Sequence, residues 1–276
     1  MKWFFVNDGL FEEEKAVLKT GDLALQRGYA AFDYFRLRNN KPLFLDDYLD
    51  RFFNSAAEMF ITMPLNREQV RKAIFDLIEK NNLPDSGFRM IVTGGYSPDS
   101  YTPVKGNFII HQEPLSMPSE EQFQKGVRIA TFNYLRDLPQ VKSTNYLMGI
   151  WQQKRLKEKH LDDVLYHYEG IITEFPRANV FIINQDRELL TPARNVLAGI
   201  TRKRLIELAS GILPVRTTDI TLNALTKACE VFMTSTTKRI LPVVEIDGTA
   251  VGNGCVGPVT AQLNELFIKQ EDERVL

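Results

Sequence analysis

The stretch from Ile172 to Phe181, ITEFPRANVF, places one acidic residue, Glu174, between two runs that favour β-strands. The preceding run, Val164–Thr173, and the following run, Asn179–Leu190, are rich in β-branched and aromatic residues, which suit the pleated surface of a sheet. Taken alone, a carboxylate ahead of Phe-Pro is typical of a turn residue. Its significance therefore depends on the segments around it.

Three further segments of the same half carry polar residues where predicted strands and helices begin or end. Lys142 stands in VKSTNYL, predicted just after a strand and at the start of a helix. Gly199–Arg202, GITR, opens a predicted helix, and Thr234–Thr237, TSTT, closes a predicted strand. Each segment alone also has a structural explanation, namely a solvated cation, a helix start capped by a threonine, and a polar strand end.

The rest of this half alternates strand and helix patterns, and the Asp247-Gly248 pair marks a hairpin turn. The predicted strands are Val127–Leu135, Val164–Thr173, Asn179–Leu190, Glu230–Thr234 and Leu241–Val251. The predicted helices are Leu147–Lys159, Thr201–Ala209, Thr221–Lys227 and Gly257–Gln270.

The first half combines short hairpins with two consecutive helices. One helix is predicted from Asp46, whose carboxylate can cap it, and the next from Asn66, which suits a capping box with Gln69. The pattern of the first helix places five apolar residues on one face: Leu49, Phe52, Phe53, Ala56 and Phe60. Hairpin turns are predicted at Asn7–Gly9 and Asn39–Asn40, and strands at Phe88–Thr93 and Asn107–His111.

Composition divides the chain into two domains and excludes several classes of protein. Residues 114–126 carry prolines, serines and charges, which predicts an exposed linker between a small α+β domain (1–113) and a larger domain (127–276). With 34 Lys and Arg against 35 Asp and Glu, no charge excess indicates a nucleic-acid partner. The apolar runs are too short for a membrane span, and two distant cysteines predict a cytoplasmic protein without a zinc site.

In their order along the chain, KSTNYL, TExxxxNVF, LLTP, AGITR, FMTSTT and PVVEIDG resemble the class IV pyridoxal-phosphate aminotransferases. That family includes branched-chain aminotransferases, D-amino-acid aminotransferase and aminodeoxychorismate lyase, and GYAAFD, LDDYLDR and GFRMIVTGG extend the resemblance into the first half. The resemblance implies a mixed α/β (α+β) enzyme of fold type IV. It would have an N-terminal α+β layer domain, a C-terminal strand-rich α/β pseudo-barrel, the cofactor between them, and a homodimeric assembly.

The resemblance also assigns residues to the cofactor, pyridoxal 5'-phosphate. Lys142 would supply the amine that condenses with the aldehyde and would carry the substrate α-proton. Glu174 would keep the ring nitrogen protonated, so that the ring acts as an electron sink. The remaining cofactor-binding residues would be Ile200, Thr201, Ser235, Thr236 and Arg51 at the phosphate, Tyr146 at the ring oxygen, and Asn179.

Substrate binding is assigned in the same way to Arg89, Phe32 and Thr237. Arg89 matches an arginine that faces a substrate carboxylate in branched-chain-type members, and it stands in an otherwise apolar strand, where a buried cation needs a partner. The Ser97–Tyr101 stretch has no Arg or His where the D-amino-acid enzymes hold theirs. This difference favours an L-amino acid donor.

The predicted function is therefore ping-pong transfer of an amino group from an L-amino acid, branched-chain or otherwise apolar, to a 2-oxo acid. One alternative stays on the same scaffold: aminodeoxychorismate lyase, which releases pyruvate, although Asp33 after Phe32 argues modestly against it. A second alternative is a catalytically idle protein that binds pyridoxal phosphate or a partner, motivated by the unusual Phe175-Pro176-Arg177 sequence.

Overall fold

The computed structural model describes residues 2–274 and divides them into two compact units. The first comprises residues 2–115 together with Val141–Asn145, and the second comprises 116–140 and 146–274. Lys142 thus belongs to the first unit, although it lies beyond the predicted linker in the sequence.

The first unit is built on an antiparallel sheet with the strand order β2-β1-β6-β5-β3-β4 among its described residues. The strands are β1 (Trp3–Val6), β2 (Gly9–Glu12), β3 (Ala30–Arg38), β4 (Lys41–Pro42), β5 (Ser86–Thr93) and β6 (Phe108–Pro114). The helices are α1 (Leu23–Arg27), α2 (Leu45–Glu58) and α3 (Arg67–Asn81), with a short 3-10 helix at Glu13–Lys15.

Aromatic side chains form the centre of this unit. Phe35 of β3 and Phe88 of β5 stack with their ring centroids 5.1 Å apart, and Phe52 of α2 contacts Phe108 of β6 at 5.9 Å. The predicted inward face of α2 is confirmed for Leu49, Phe52 and Ala56, which are fully buried, whereas Phe53 is half-buried. The prediction that Phe60 lies on this face is wrong, because α2 ends at Glu58 and Phe60 turns outward with a φ of 53°.

The two helix starts differ in how well the sequence predicted them. The capping box of α3 is confirmed: Gln69 N donates to Asn66 Oδ1 at 2.9 Å, and Asn66 N donates to Gln69 Oε1 at 2.8 Å. Asp46 does not cap α2, whose N-cap is Phe44 in a left-handed conformation. The Asp46 carboxylate instead accepts from Arg67 at 2.9 Å and from Arg71, so tertiary ion pairing takes the place of the predicted cap.

The second unit contains a larger mixed sheet with the order β13-β12-β11-β14-β15-β7-β8-β9, to which β10 adds beside β11 and β16 beside β15. The strands are β7 (Val127–Asn133), β8 (Asp163–Tyr168), β9 (Ile171–Ile172), β10 (Glu174–Phe175), β11 (Ala178–Ile183), β12 (Leu189–Thr191), β13 (Val215–Thr217), β14 (Glu230–Ser235), β15 (Arg239–Ile246) and β16 (Thr249–Ala250). The helices are α4 (Glu120–Lys125), α5 (Leu147–Glu158), α6 (Ile200–Ala209), α7 (Leu222–Thr226) and α8 (Pro258–Glu273).

Strand β11 is buried on both faces, which explains its apolar sequence from Val180 to Ile183. Val180 packs into one core with Val231 and Leu241. Phe181 packs into a second core, where it stacks on Phe232 at 5.4 Å beside residues of α6 and α8. The strand that follows Glu174 is therefore rigidly held.

The predicted linker is not an extended connection throughout. Residues 120–125 form α4, which Ser119 and Gln122 start with a reciprocal capping box. Phe123 of α4 packs against the core of the second unit. The prolines of this stretch precede the helix and its charges lie within it, and Phe123 anchors the helix to the core.

Within residues 2–274, the helices are all too short or too polar to cross a lipid bilayer.

Candidate active site

Lys142 is fixed by its backbone to β3 and α2 of the first unit. Its carbonyl oxygen accepts from Phe32 N at 2.9 Å, and its N–H donates to Ser55 Oγ at 3.2 Å. Its Nζ lies 4.6 Å from the centroid of the Phe32 ring. Lys142 itself is not helical. Helix α5 begins at Leu147, as predicted, and Ser143, next to Lys142, forms an isolated bridge with Ala31 of the strand that carries Phe32.

Arg51 forms a bidentate ion pair with Asp33. Its Nε lies 2.9 Å from Asp33 Oδ2 and its Nη2 lies 2.7 Å from Oδ1. The Asp33 side chain is completely buried and also accepts from Tyr34 N at 2.7 Å. This pair fixes the plane of the guanidinium. From the sequence, Asp33 served only as an argument against the lyase, and its role as the partner of Arg51 was missed.

Arg89 of β5 has the partner that the sequence analysis required. Its Nη2 lies 2.8 Å from Glu113 Oε1, and the other carboxylate oxygen of Glu113 lies 3.0 Å from His111 Nε2. The guanidinium carbon lies 5.6 Å from the Phe32 ring centroid and 5.1 Å from that of Tyr34. The structure therefore brings Phe32, Arg89 and Lys142 together in the first unit.

The electrostatics of this cluster follow from burial and charge. Burial opposes ionisation of Glu113, but the hydrogen bond and the charge of Arg89 outweigh it, so the pKa of Glu113 lies below its ordinary value. Burial lowers the pKa of His111, and Glu113 offsets this only in part. Burial, assisted by the charge of Glu113, raises the pKa of Tyr34 to about 12.

In the second unit, Glu174 is buried and held by two donors. Arg136 Nε lies 2.8 Å from Glu174 Oε1, and the backbone N–H of Leu197 donates to Oε2 at 2.9 Å. Arg136 is itself held by the carbonyl of Pro139 at 2.6 Å. Arg136 was not predicted as a site residue. The sequence indicates such a role only through its position in the polar turn that follows β7.

Three predicted segments meet in one row across neighbouring strands. Glu174 of β10 pairs in register with Asn179 of β11, and Asn179 pairs with Thr234 of β14. The Asn179 side-chain amide also donates to Leu197 O at 2.9 Å, which links the row to the chain entering α6. ITEFPRANVF, GITR and TSTT are therefore neighbours in space.

The start of α6 is built around a glycine. Gly199 is its N-cap, and a Cβ at this position would lie 2.0 Å from Asn179 Oδ1. Only glycine lets the helix begin this close to β11. Ile200 and Thr201, both buried, form the first turn, where backbone N–H groups have no intrahelical partner. The predicted helix start at GITR is confirmed.

The end of β14 supplies hydroxyl groups. Ser235 Oγ accepts from Lys238 N at 3.2 Å, and within residues 2–274 the Thr234 hydroxyl is buried without a hydrogen-bond partner. A buried hydroxyl that lacks a partner is costly unless a bound group satisfies it. Thr236 and Thr237 follow directly after the strand.

These residues fit a phosphorylated pyridine ring. The second unit combines a buried carboxylate, the N-terminus of a ten-residue helix and a buried hydroxyl with unused capacity. Tyr146, just before α5, accepts from Ile150 N through its backbone, and its contact with the cofactor stays a prediction. The contacts of the other predicted residues with cofactor or substrate also stay predictions.

Comparison with known proteins gives the family. The sequence model described as amino-transferase class IV matches residues 30–246. The chain is 33% identical to the D-alanine aminotransferase of Listeria monocytogenes over 96% of its own length and 94% of that protein.

Solved structures agree. The fold matches the Escherichia coli branched-chain amino acid aminotransferase with a TM-score of 0.91 and 25% identity, covering 97% of this chain and 94% of the other. It also matches the branched-chain amino acid aminotransferase of Thermobaculum terrenum, solved in its PLP form (holo form), with a TM-score of 0.88 and 21% identity over 99% and 94% of the two chains. The predicted mixed α/β fold, enzyme class and family are confirmed.

Proposed function

We propose that this chain, which belongs to the class IV aminotransferase family, transfers the amino group of an amino acid to a 2-oxo acid, with pyridoxal 5'-phosphate as cofactor. The row formed by Glu174, Asn179 and Thr234, next to the start of α6, is the observation that carries the cofactor assignment. Relatives named as aminotransferases and a structural neighbour solved in its PLP form support it.

The cofactor, when bound, supplies an aldehyde carbon and an electron-withdrawing ring. Lys142 would supply the amine that holds the aldehyde carbon and, once the substrate amine has displaced it, would accept the proton from the substrate α-carbon. Glu174, which forms an ion pair with Arg136, would hold a proton on the ring nitrogen. Ile200 and Thr201 in the first turn of α6 would bind the phosphate, together with Ser235, Thr236 and Arg51. Asn179 would orient the chain that enters α6, and Tyr146 would donate to the ring oxygen.

For the substrate we propose an apolar L-amino acid. The Ser97–Thr102 loop closes around Asp99, whose Oδ1 accepts from Ser97 Oγ at 2.8 Å and from Thr102 N at 2.7 Å. Hydrogen bonds from the Thr102 backbone and side chain lower the pKa of Asp99, which keeps the loop anionic. The loop therefore offers no cation to an α-carboxylate where, by the resemblance, the D-amino-acid enzymes hold Arg or His.

D-alanine is the second candidate, because the Listeria relative at 33% identity is named for it. A panel of L- and D-amino acids, each with pyruvate and with 2-oxoglutarate, separates the two. We expect the highest kcat/KM with an apolar L-amino acid. Higher values with D-alanine would reject the L assignment, and pyruvate release from aminodeoxychorismate without amino transfer would favour the lyase.

We also propose a cytoplasmic homodimer. Leu147, Ile150 and Trp151 at the start of α5 are exposed in the single chain, and such an apolar surface is typical of an interface. Cys229 and Cys255 are both free thiols, which suits a reducing compartment. Light scattering should give twice the chain mass of 31.7 kDa, and a single-chain mass would reject the dimer.

A further inference from the structure

A charged cluster crosses three strands on one face of the first sheet. Tyr34 of β3, Arg89 of β5 and His111 of β6 lie opposite one another in register, and Glu113 lies two residues beyond His111 on the same face. Arg89 and Glu113 pair at 2.8 Å, and His111 contacts the second oxygen of Glu113 at 3.0 Å. The chain therefore supplies its own carboxylate to the guanidinium of Arg89.

The Phe32 ring connects this cluster with Lys142. Lys142 Nζ lies 4.6 Å from the ring centroid and Arg89 Cζ lies 5.6 Å from it. Lys142 Nζ and Arg89 Cζ are therefore at most about 10 Å apart. An amine about 3 Å from the reacting α-carbon, and a side chain that extends about 4–5 Å beyond that carbon, leave the end of the side chain within contact distance of Arg89. A second carboxylate on the substrate would reach the surroundings of Arg89.

Glu113 is held firmly in its place beside Arg89. One oxygen is bound by Arg89 and the other faces His111, whose ring packs against that of Phe4 at a centroid distance of 5.4 Å. The carboxylate is ionised at neutral pH, because Arg89 keeps it so. A substrate carboxylate that approaches Arg89 therefore meets the negative charge of Glu113, which is already paired with the guanidinium.

We propose that Glu113 is a specificity-determining residue that selects against substrates with a second carboxylate, by holding Arg89. This inference rests on the proposed function and narrows its substrate class to amino acids and 2-oxo acids with neutral side chains. The positive charge of Arg89 would then be balanced by Glu113. Neutral substrate side chains would pack against the Phe32 and Tyr34 rings.

The test replaces Glu113 by Gln, which keeps the shape of the side chain and removes its charge. With pyruvate as acceptor, the ratio of kcat/KM for glutamate to that for leucine should rise about tenfold or more in Glu113→Gln, because one charge repulsion at close range is removed. In the double variant Arg89→Met/Glu113→Gln the ratio should return toward the wild-type value. Asp76→Asn, which removes an exposed carboxylate paired with Lys72, is the matched control and should leave the ratio unchanged.

Calorimetric titration of the holoenzyme with glutarate gives a readout that does not depend on turnover. Glutarate should bind Glu113→Gln about tenfold more tightly than wild type, and the gain should vanish when Arg89 is also replaced. Equal glutarate affinity in wild type and Glu113→Gln, or a gain that persists without Arg89, would overturn the inference. Failure of the proposed function would appear differently, as absent transamination with every amino acid in the wild-type enzyme.

Discussion

The Glu174 carboxylate is buried together with the Arg136 side chain, so neither charge has water to stabilise it. Removing one member of a buried pair leaves the other charge uncompensated, which commonly costs about 3–5 kcal/mol. We expect Arg136→Met to lower the free energy of unfolding by about 3 kcal/mol, measured in urea. It should also weaken pyridoxal phosphate binding, measured by fluorescence titration.

The control for Arg136 removes both charges. In Arg136→Met/Glu174→Gln no buried charge is left unpaired, so most of the stability should return while cofactor affinity stays low. A double variant no more stable than Arg136→Met would contradict the ion-pair account. Retained cofactor affinity in both variants would show that the carboxylate does not serve the ring.

The residues around Glu174 show what a sequence can and cannot predict at this scale. Glu174 and Asn179 stand in one short motif, so their proximity follows from strand pairing. Arg136 is 38 positions away from Glu174, and only the fold of the turn after β7 brings it near. The pairing of Arg51 with Asp33 was missed for the same reason, since it joins a helix to a strand.

Among the elements, α6 depends on the glycine at its start. The Cβ of Gly199→Ala would collide with Asn179 Oδ1 and push the first turn away from β11. We expect pyridoxal phosphate affinity to fall about tenfold, because the N–H groups of Ile200 and Thr201 move with that turn.

Gly211→Ala is the matched control for this element. The nearest heavy atom to its Cβ would be 3.8 Å away, an ordinary contact, so cofactor affinity should not change. Equal affinities of the Gly199→Ala and wild-type proteins would remove α6 from the phosphate site.

Strand β6 gives a pH-dependent prediction. Burial lowers the pKa of His111, so the unfolded chain binds a proton more readily than the folded one, and stability falls as the pH drops through about 6.5. His111→Gln should abolish this part of the dependence, measured by urea unfolding between pH 7.5 and 5.5. A difference between wild type and variant that stays constant with pH would contradict it.

Elements were predicted well where the signals are local. The capping box of α3 and the hairpin turn at Asp247–Gly248 involve residues close in sequence, and both are present. The capping role given to Asp46 was wrong and helix α4 was not predicted, because tertiary contacts decide both. Arg67 pairs with the carboxylate of Asp46, and Phe123 packs against the core of the second unit.

At the scale of the molecule, the order of motifs predicted the family, and three of those motifs meet in the second unit. Glu174, the start of α6 and the end of β14 are neighbours only when β10, β11 and β14 pair. The substrate could not be predicted in the same way. It depends on side-chain pairs such as Arg89 with Glu113, which span 24 positions and have no local signature.

The central claim is that Lys142 carries the cofactor, and reduction with borohydride followed by peptide mapping tests it most directly. We predict one pyridoxyl label, on the peptide containing Lys142, in wild type and in Lys154→Ala, which alters an exposed lysine. Lys142→Ala should lose the label and at least about 10³-fold in turnover. A label on another lysine, or full activity in Lys142→Ala, would contradict the account.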